Sequence, residues 1–391
     1  MNDLLRVIPL GGESAFPKKE FDARVKKLQK VLGEKGFDLY MTAGPENIFY
    51  LTGQQTPGYS NLQLACIPQS GTPFLILRAT EAFNARINTF IEDLFGYGDG
   101  DDPGAFFAKV LKDQGWAGKR VALDNNAWFL SPNLYKKLTA ACGELLDGSN
   151  LVEPFRRVKS KLEIACMENA AKAALAGMKA GLKAARPGCT DNQVAAAVMN
   201  ASILAGSEYM GMEPFVTAGR RSGVVHTTWR RNKVKRGDIL VIENAACYNR
   251  YHAALFRTVA VGKVSQRALD QYKVCAEGLA AAIDTAKPGV TCADVHNAVQ
   301  KVIDRAGYTD GFRKRAGYSI GIAFAPDWGE GNIMSLFKTV KIPLEPGMTF
   351  HVPVTLREYY KHTVAVSETI LITDKGCRPL SKLSRNLVRV G

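Results

Sequence analysis

The sequence has no run of about 18 apolar residues, which excludes a membrane-spanning helix on length alone. Its first residues, MNDLLRVIPLGGES, lack the basic start and long apolar stretch of a secretory signal, so a cytoplasmic protein is expected. None of the eight cysteines forms a CxxC pair, which argues against zinc-ribbon and thioredoxin-like chemistry and for reduced, mostly buried thiols. Histidine is scarce: His226, His252, His296, His351 and His362 are the only five. Acidic residues are outnumbered by basic ones, giving a net charge of +14. The basic residues are spread along the chain. The densest groups, Arg156–Lys161 and Arg230–Arg236, lack the interleaved aromatics of an RNA-binding platform, so they read as solvated basic surface. Neither a nucleic-acid nor a membrane partner is expected.

The length of 391 residues allows two or three domains. The first part reads as α/β. FDARVKKLQKVLGEKGF has helical spacing with Gly36 as its stop, and DLYMTAG, NLQLACIP, PFLILRA and RVALDN read as strands of one sheet. The pattern changes to a long Ala-rich helix after LVEPFRRVKSK, which sets the expected boundary near Pro154, with domains 1–153 and 154–391.

The second part carries an internal repeat. ARPGCTDNQVAAAV from Ala185 and AKPGVTCADVHNAV from Ala286 match at a constant offset. In each, Pro-Gly ends an Ala-rich helix and a Thr is placed to cap the next, with Gln193 or Asp294 at capping-box spacing. Strand-like segments follow both copies: EPFVTAG and GDILVIENAACY/YHAALFRTVAVG, then GYSIGIAFA, MTFHVPVTL and VAVSETILIT. Two similar α+β halves facing each other are predicted, with a site between their sheets.

Candidate chemistry lies on those strands. Glu243 interrupts an apolar run of an antiparallel hairpin that turns at Asn249-Arg250. A carboxylate there is either on a solvated edge or buried in a cleft whose desolvation sets its reactivity. His226 precedes the hairpin and His351 lies mid-strand. A strand-borne Glu with such histidines supplies the ingredients of acid–base or nucleophilic catalysis.

The segment RRVKSKLEIACMENAA resembles the R-x-x-K-S-x-x-E-I-x-x-M entry helix of the creatinase and aminopeptidase P family, and the doubled helix–PG–T pattern fits that family's pita-bread pseudo-symmetry. The resemblance implies an α+β pita-bread catalytic domain preceded by a smaller creatinase-type α/β domain. Metallopeptidases of the family use two Asp, one His and two Glu to bind two metal ions. By resemblance those positions carry Glu243, Ala254, Tyr318, Pro353 and Ser367 here, with Glu368 adjacent. Ala, Tyr and Pro do not supply a dinuclear site, so no metal and no cofactor are expected. The segments ENAACYNRYHAALFRTVAVG, APDWGE followed by Met334-Ser335-Leu336, LEPGMTFH and SETILIT resemble ectoine hydrolases, a metal-free branch, with creatinase next. GQQTPGYSNLQL and VTLREYYKHTV depart from that branch and bear on the substrate.

The resemblance implies a metal-independent hydrolase of a non-peptide C–N bond in a small zwitterionic amidine, guanidino or amide substrate. Glu243 is the expected nucleophile or base, His226 its proton-transfer partner, and Tyr318 a hydrogen-bond donor to developing charge. His351, Glu368, Trp328 and His252 are expected around the substrate, and Arg257 as a brace for Glu368. A homodimer is expected too, in which Gly53–Asn61 reaches the neighbour's site. Rival readings are a creatinase-like amidinohydrolase, a non-catalytic pita-bread binding module and a lyase on the same fold.

Overall fold

A computed structural model describes residues 6–312 and 314–391. The chain divides into two compact units that meet between Arg156 and Arg157. No helix among the described residues is long and apolar enough to cross a membrane. All eight cysteines are free, and all but Cys377 are buried.

The first unit is a six-stranded mixed sheet in the order β4-β3-β2-β1-β5-β6, formed by Leu39–Thr42 (β1), Leu64–Pro68 (β2), Phe74–Arg78 (β3), Asp93–Tyr97 (β4), Val121–Leu123 (β5) and Leu145–Asp147 (β6). β1 is buried along its whole length, as expected of a central strand with both faces covered. The helix Lys18–Lys35 ends at Gly36, whose left-handed backbone (φ +66°) lets its own N–H and that of Phe37 return to Gly33 and Leu32 carbonyls.

The second unit has two sheets. One, in the order β15-β9-β8-β7, is formed by Phe215–Ala218 (β7), Ile239–Tyr248 (β8), Tyr251–Val261 (β9) and Val388–Val390 (β15). The other, in the order β11-β10-β12-β13-β14, is formed by Gly317–Ser319 (β10), Ser335–Leu336 (β11), Thr349–Glu358 (β12), His362–Thr373 (β13) and Gly376–Pro379 (β14). Each sheet has a helix pair: Lys161–Ala184 with Asp191–Leu204, and Gln266–Thr285 with Cys292–Arg305.

The repeat folds into two equivalent structures. Thr190 and Thr291 each accept a hydrogen bond from the backbone N–H three residues on, and Gln193 and Asp294 reach back to close both capping boxes. The following backbone matches as well. Gly188 N–H donates to Val234 O and Val234 N–H to Cys189 O; Gly289 N–H donates to Leu344 O and Leu344 N–H to Val290 O. Small residues let the first long helix lie close on its partner helix: a Cβ at Gly177 would stand 2.1 Å from Ser202 Oγ and 2.9 Å from the Val198 carbonyl.

The entry-helix motif is a structural device. Ser160 and Glu163 form a third capping box, and Glu163 also accepts from the Tyr251 hydroxyl at 2.8 Å. Lys159 is buried and ion-paired with the buried Glu330 at 2.7 Å. The expectation that Arg156–Lys161 forms a solvated basic face is therefore corrected, because Arg156 and Lys159 are inside. The second basic group, Arg230–Arg236, has all five of its Arg and Lys side chains exposed.

Candidate active site

β8 and β9 turn at Asn249 and Arg250, both with positive φ, the geometry that keeps a two-residue hairpin in register with strand twist. Period-two alternation then assigns the faces of β8. Leu240 and Ile242 join the core packed around Met178 and Val198, and Asn244 donates to Ala174 O in the long helix. Val241 and Glu243 face the other way and line a cavity of about 340 Å³, with Phe215 and Thr217 of β7 and Phe256 of β9. β8 lies between β7 and β9, so Glu243 sits on an interior strand. From the second sheet come Tyr318 of β10, Pro353, Thr355 and Arg357 of β12, and Thr363 of β13. The Ser222–Thr227 loop, Lys314, Arg315, Asp327 and Trp328 complete the wall.

The electrostatics are dominated by burial. Desolvation pushes the Glu243 carboxyl above its ordinary range, opposed by Lys314 and Arg357 and assisted by Asp327. Desolvation pushes the Lys314 ammonium down, opposed by Glu243. Lys314 Nζ donates to Pro353 O at 2.8 Å and Thr355 Oγ1 at 3.0 Å. Pro353 is tolerated within β12 because β10 pairs only as far as His351, leaving no neighbour there that needs its N–H.

Tyr318, His351 and Ser367 form one chain. Trp328 Nε1 donates to Tyr318 Oη at 2.9 Å; Tyr318 Oη lies 2.8 Å from His351 Nδ1; His351 Nε2 lies 2.7 Å from Ser367 Oγ. Burial pushes the Tyr318 phenol above its ordinary pKa, with the Glu243 charge adding to the shift, so the hydroxyl keeps its proton. Burial pushes His351 down to about 3, with Lys314, Arg315 and Arg257 adding to it, so the ring is neutral.

His226 lies in the cavity wall, exposed, with its ring stacked on Phe215 at 5.8 Å and a backbone φ of +55°. Such a φ is uncommon outside glycine and is found where a tertiary or functional constraint holds the residue. Phe215 is the cross-strand partner of Glu243. His226 and Glu243 thus share one wall through Phe215.

Two expected substrate contacts are corrected. His252 lies outside the cavity wall and is buried, with both ring nitrogens engaged by backbone: Gly211 N–H donates to Nε2 and Nδ1 meets Arg250 O, each at 3.0 Å. Glu368 is likewise buried outside the wall, held by Arg257 at 2.8 Å and Arg385 at 3.3 Å. Of the remaining expected residues, Trp328 lines the cavity and His351 stands behind Tyr318. Sequence reasoning missed Lys314 and Arg357. Arg357 was legible by alternation from Pro353 through Thr355; Lys314 lies in the basic run FRKR, which gives no such signal.

An α/β unit followed by two pseudo-symmetric α+β halves around a polar cavity defines the two-domain pita-bread class. Residues 165–374 match metallopeptidase family M24 and residues 24–158 match the creatinase/prolidase N-terminal domain, so the chain belongs to that hydrolase family. It is 28% identical to an ectoine hydrolase of Halomonas elongata, over 95% of this chain and 98% of that protein. It is 30% identical to an uncharacterized hydrolase/peptidase, y4tL, of Sinorhizobium fredii, over 96% and 98%. A prolidase structure from Thermococcus sibiricus superposes with a TM-score of 0.85 at 22% identity, covering 96% of this chain and 99% of that one.

Proposed function

We propose that the protein is a metal-independent hydrolase of a non-peptide C–N bond in a small zwitterion bearing an amidine, guanidino or amide group. The observation that carries this reading is Glu243, one desolvated carboxyl in a polar cavity whose other walls offer a hydroxyl and cations. The ectoine hydrolase relative supports the substrate class.

The residues present do not fit the dinuclear metal centre of the family's peptidases. Ala254 and Pro353 have no donor side chain, and the Tyr318 oxygen already meets Trp328 Nε1 and His351 Nδ1. Ser367 is turned to His351. Among the described residues, no three His, Cys, Asp or Glu side chains converge on a common point. A Lys314 ammonium beside the one remaining carboxylate opposes a cation further.

Without a Lewis acid, the substrate must supply its own electrophilic carbon, and a protonated amidine or guanidinium does so. Glu243 attacks that carbon, or takes the proton of a water whose oxygen attacks it. The C–N bond breaks as His226 gives a proton to the departing nitrogen. Where Glu243 has attacked, water then cleaves the Glu243 ester and gives its proton to His226. Where Glu243 has taken the water's proton, that proton passes to His226, so both groups return to their starting states. Tyr318 donates a hydrogen bond to the charge that develops.

Glu243→Gln and His226→Ala are each expected to abolish most turnover of ectoine or creatine while circular dichroism stays native. The double variant is expected to lose little more than either single one, because the two act in one cycle. Near-wild-type turnover in a single variant removes that residue from the mechanism. The same reading carries a homodimer in which Gly53–Asn61 of each copy serves its neighbour's site; light scattering that gives a monomer mass at micromolar concentration contradicts it.

A further inference from the structure

The cavity holds more cationic than anionic groups. Lys314, Arg315 and Arg357 face it against Glu243 and Asp327. Arg315 is accounted for within the fold: it donates to Ser335 Oγ at 2.9 Å, and its guanidinium lies 4.6 Å from the Tyr318 ring centre. Lys314 and Arg357 differ. Each is half-buried, and neither makes a salt bridge with a carboxylate among the described residues. Lys314 spends two of its three donors on Pro353 O and Thr355 Oγ1. Arg357 donates from Nε to Thr363 Oγ1 at 3.0 Å and also hydrogen-bonds the Tyr359 side chain, which together use only part of its five N–H donors. Both also line a second cavity of about 460 Å³, together with Val225, Asp310, Gly311, Thr355 and Tyr359, so the pair stands where the two spaces meet. Withdrawing two cations from water without a bonded anion is costly. The pattern is that of a site completed by an anionic ligand, and a planar carboxylate matches the guanidinium fork and the free ammonium donor.

We propose that Lys314 and Arg357 form a carboxylate-binding subsite, which holds one end of a small zwitterion while its cationic C–N group meets Glu243. The proposal rests on the hydrolase reading for what happens at Glu243, and on cavity geometry alone for the subsite. In the free protein Lys314 is the counter-charge of Glu243. On binding, the two exchange partners, Glu243 taking the ligand's cation and Lys314 its carboxylate. The number of charges buried with a partner rises, and a ligand lacking either end forfeits half of the exchange.

The test is calorimetric binding of two probes to the wild-type protein, Lys314→Met and Arg357→Met, with ectoine turnover measured alongside. One probe is cyclohexanecarboxylate, a ring with a carboxylate and no amidine. The other is the ectoine ring without its carboxylate. Cyclohexanecarboxylate is expected to bind the wild type and to weaken about tenfold or more in each variant. The carboxylate-free ring is expected to bind Arg357→Met as it binds the wild type and to lose no affinity in Lys314→Met, where no ammonium is left without its counter-charge. Equal binding of cyclohexanecarboxylate to the three proteins, or no binding to the wild type, overturns the proposal. So does an equal loss for both probes. If no amidine binds or turns over while cyclohexanecarboxylate keeps its dependence on Lys314 and Arg357, the hydrolase reading fails and the subsite stands. The two variants are independent, so one that does not fold leaves the other to decide.

Discussion

Tyr318 shows how the partners of one hydroxyl decide what it can offer the cavity. Its hydroxyl receives a hydrogen bond from Trp328 and meets His351 Nδ1. With the His351 proton on Nδ1, that nitrogen donates to Tyr318 Oη, the Ser367 hydroxyl donates to Nε2, and the tyrosine proton is free to point into the cavity. The ring itself is fixed by a close approach: a Cβ at Gly329 would stand 2.6 Å from Tyr318 Cε2. Tyr318→Phe is expected to lower kcat about a hundredfold with little change in KM, the signature of a contact made to developing charge. Gly329→Ala is expected to do the same by displacing the ring, although it touches no hydroxyl. Steady-state kinetics check both, and an unchanged kcat in Tyr318→Phe removes the hydroxyl from the reaction.

Strands β9 and β12 each bury a neutral histidine, and that has a consequence for pH. Burial holds His252 down to about 3, with the Arg250 charge adding to the effect, and His351 also to about 3. A depressed folded-state pKa means that these groups contribute stability above the ordinary histidine pKa of about 6.5 and lose it as pH falls toward 3. Each adds a slope of up to roughly 1.4 kcal/mol per pH unit in that window. Glu243 acts in the opposite sense, since its raised pKa makes the protonated carboxyl the easier one to bury. Burial also depresses His296 and His362 and also raises Asp124 and Glu368, so depressed histidines still outnumber raised carboxyls and the net slope falls on acidification. The urea midpoint is therefore expected to drop between pH 7 and pH 5, and to drop less in His252→Gln. Equal slopes in the two proteins contradict this assignment. The same strands mark how far the sequence could be read. The hairpin and the repeat were legible because a turn and a capping box are local chemistry. Alternation puts His252 on the same side as Phe256, but it does not tell how far along β9 the cavity extends, and His252 lies near the hairpin tip. Glu368 follows Ser367 by one residue and therefore faces away from His351, toward Arg257. The contact of Tyr318 with His351 joins separate strands, and no local pattern announces it.

On the scale of the whole molecule, the family frame is kept. The repeat, the entry-helix capping box and the buried Lys159–Glu330 pair maintain the two halves around one cavity. Lys314 and Arg357 bring positive side chains to that cavity, and on the proposed reading Ala254, Tyr318, Pro353 and Ser367 take the places of the peptidases' metal ligands. The net charge of +14 adds a long-range attraction for anionic ligands. The central claim is that Glu243 and this cavity hydrolyse a small amidine or guanidino acid without a metal. The direct test is turnover of ectoine, creatine and Xaa-Pro dipeptides by protein dialysed against chelator, before and after manganese is restored. The account predicts turnover of at least one amidine or guanidino acid, unchanged by chelator or manganese, and no dipeptide cleavage. Xaa-Pro cleavage that disappears with chelator and returns with manganese, with no response to either acid, would contradict it.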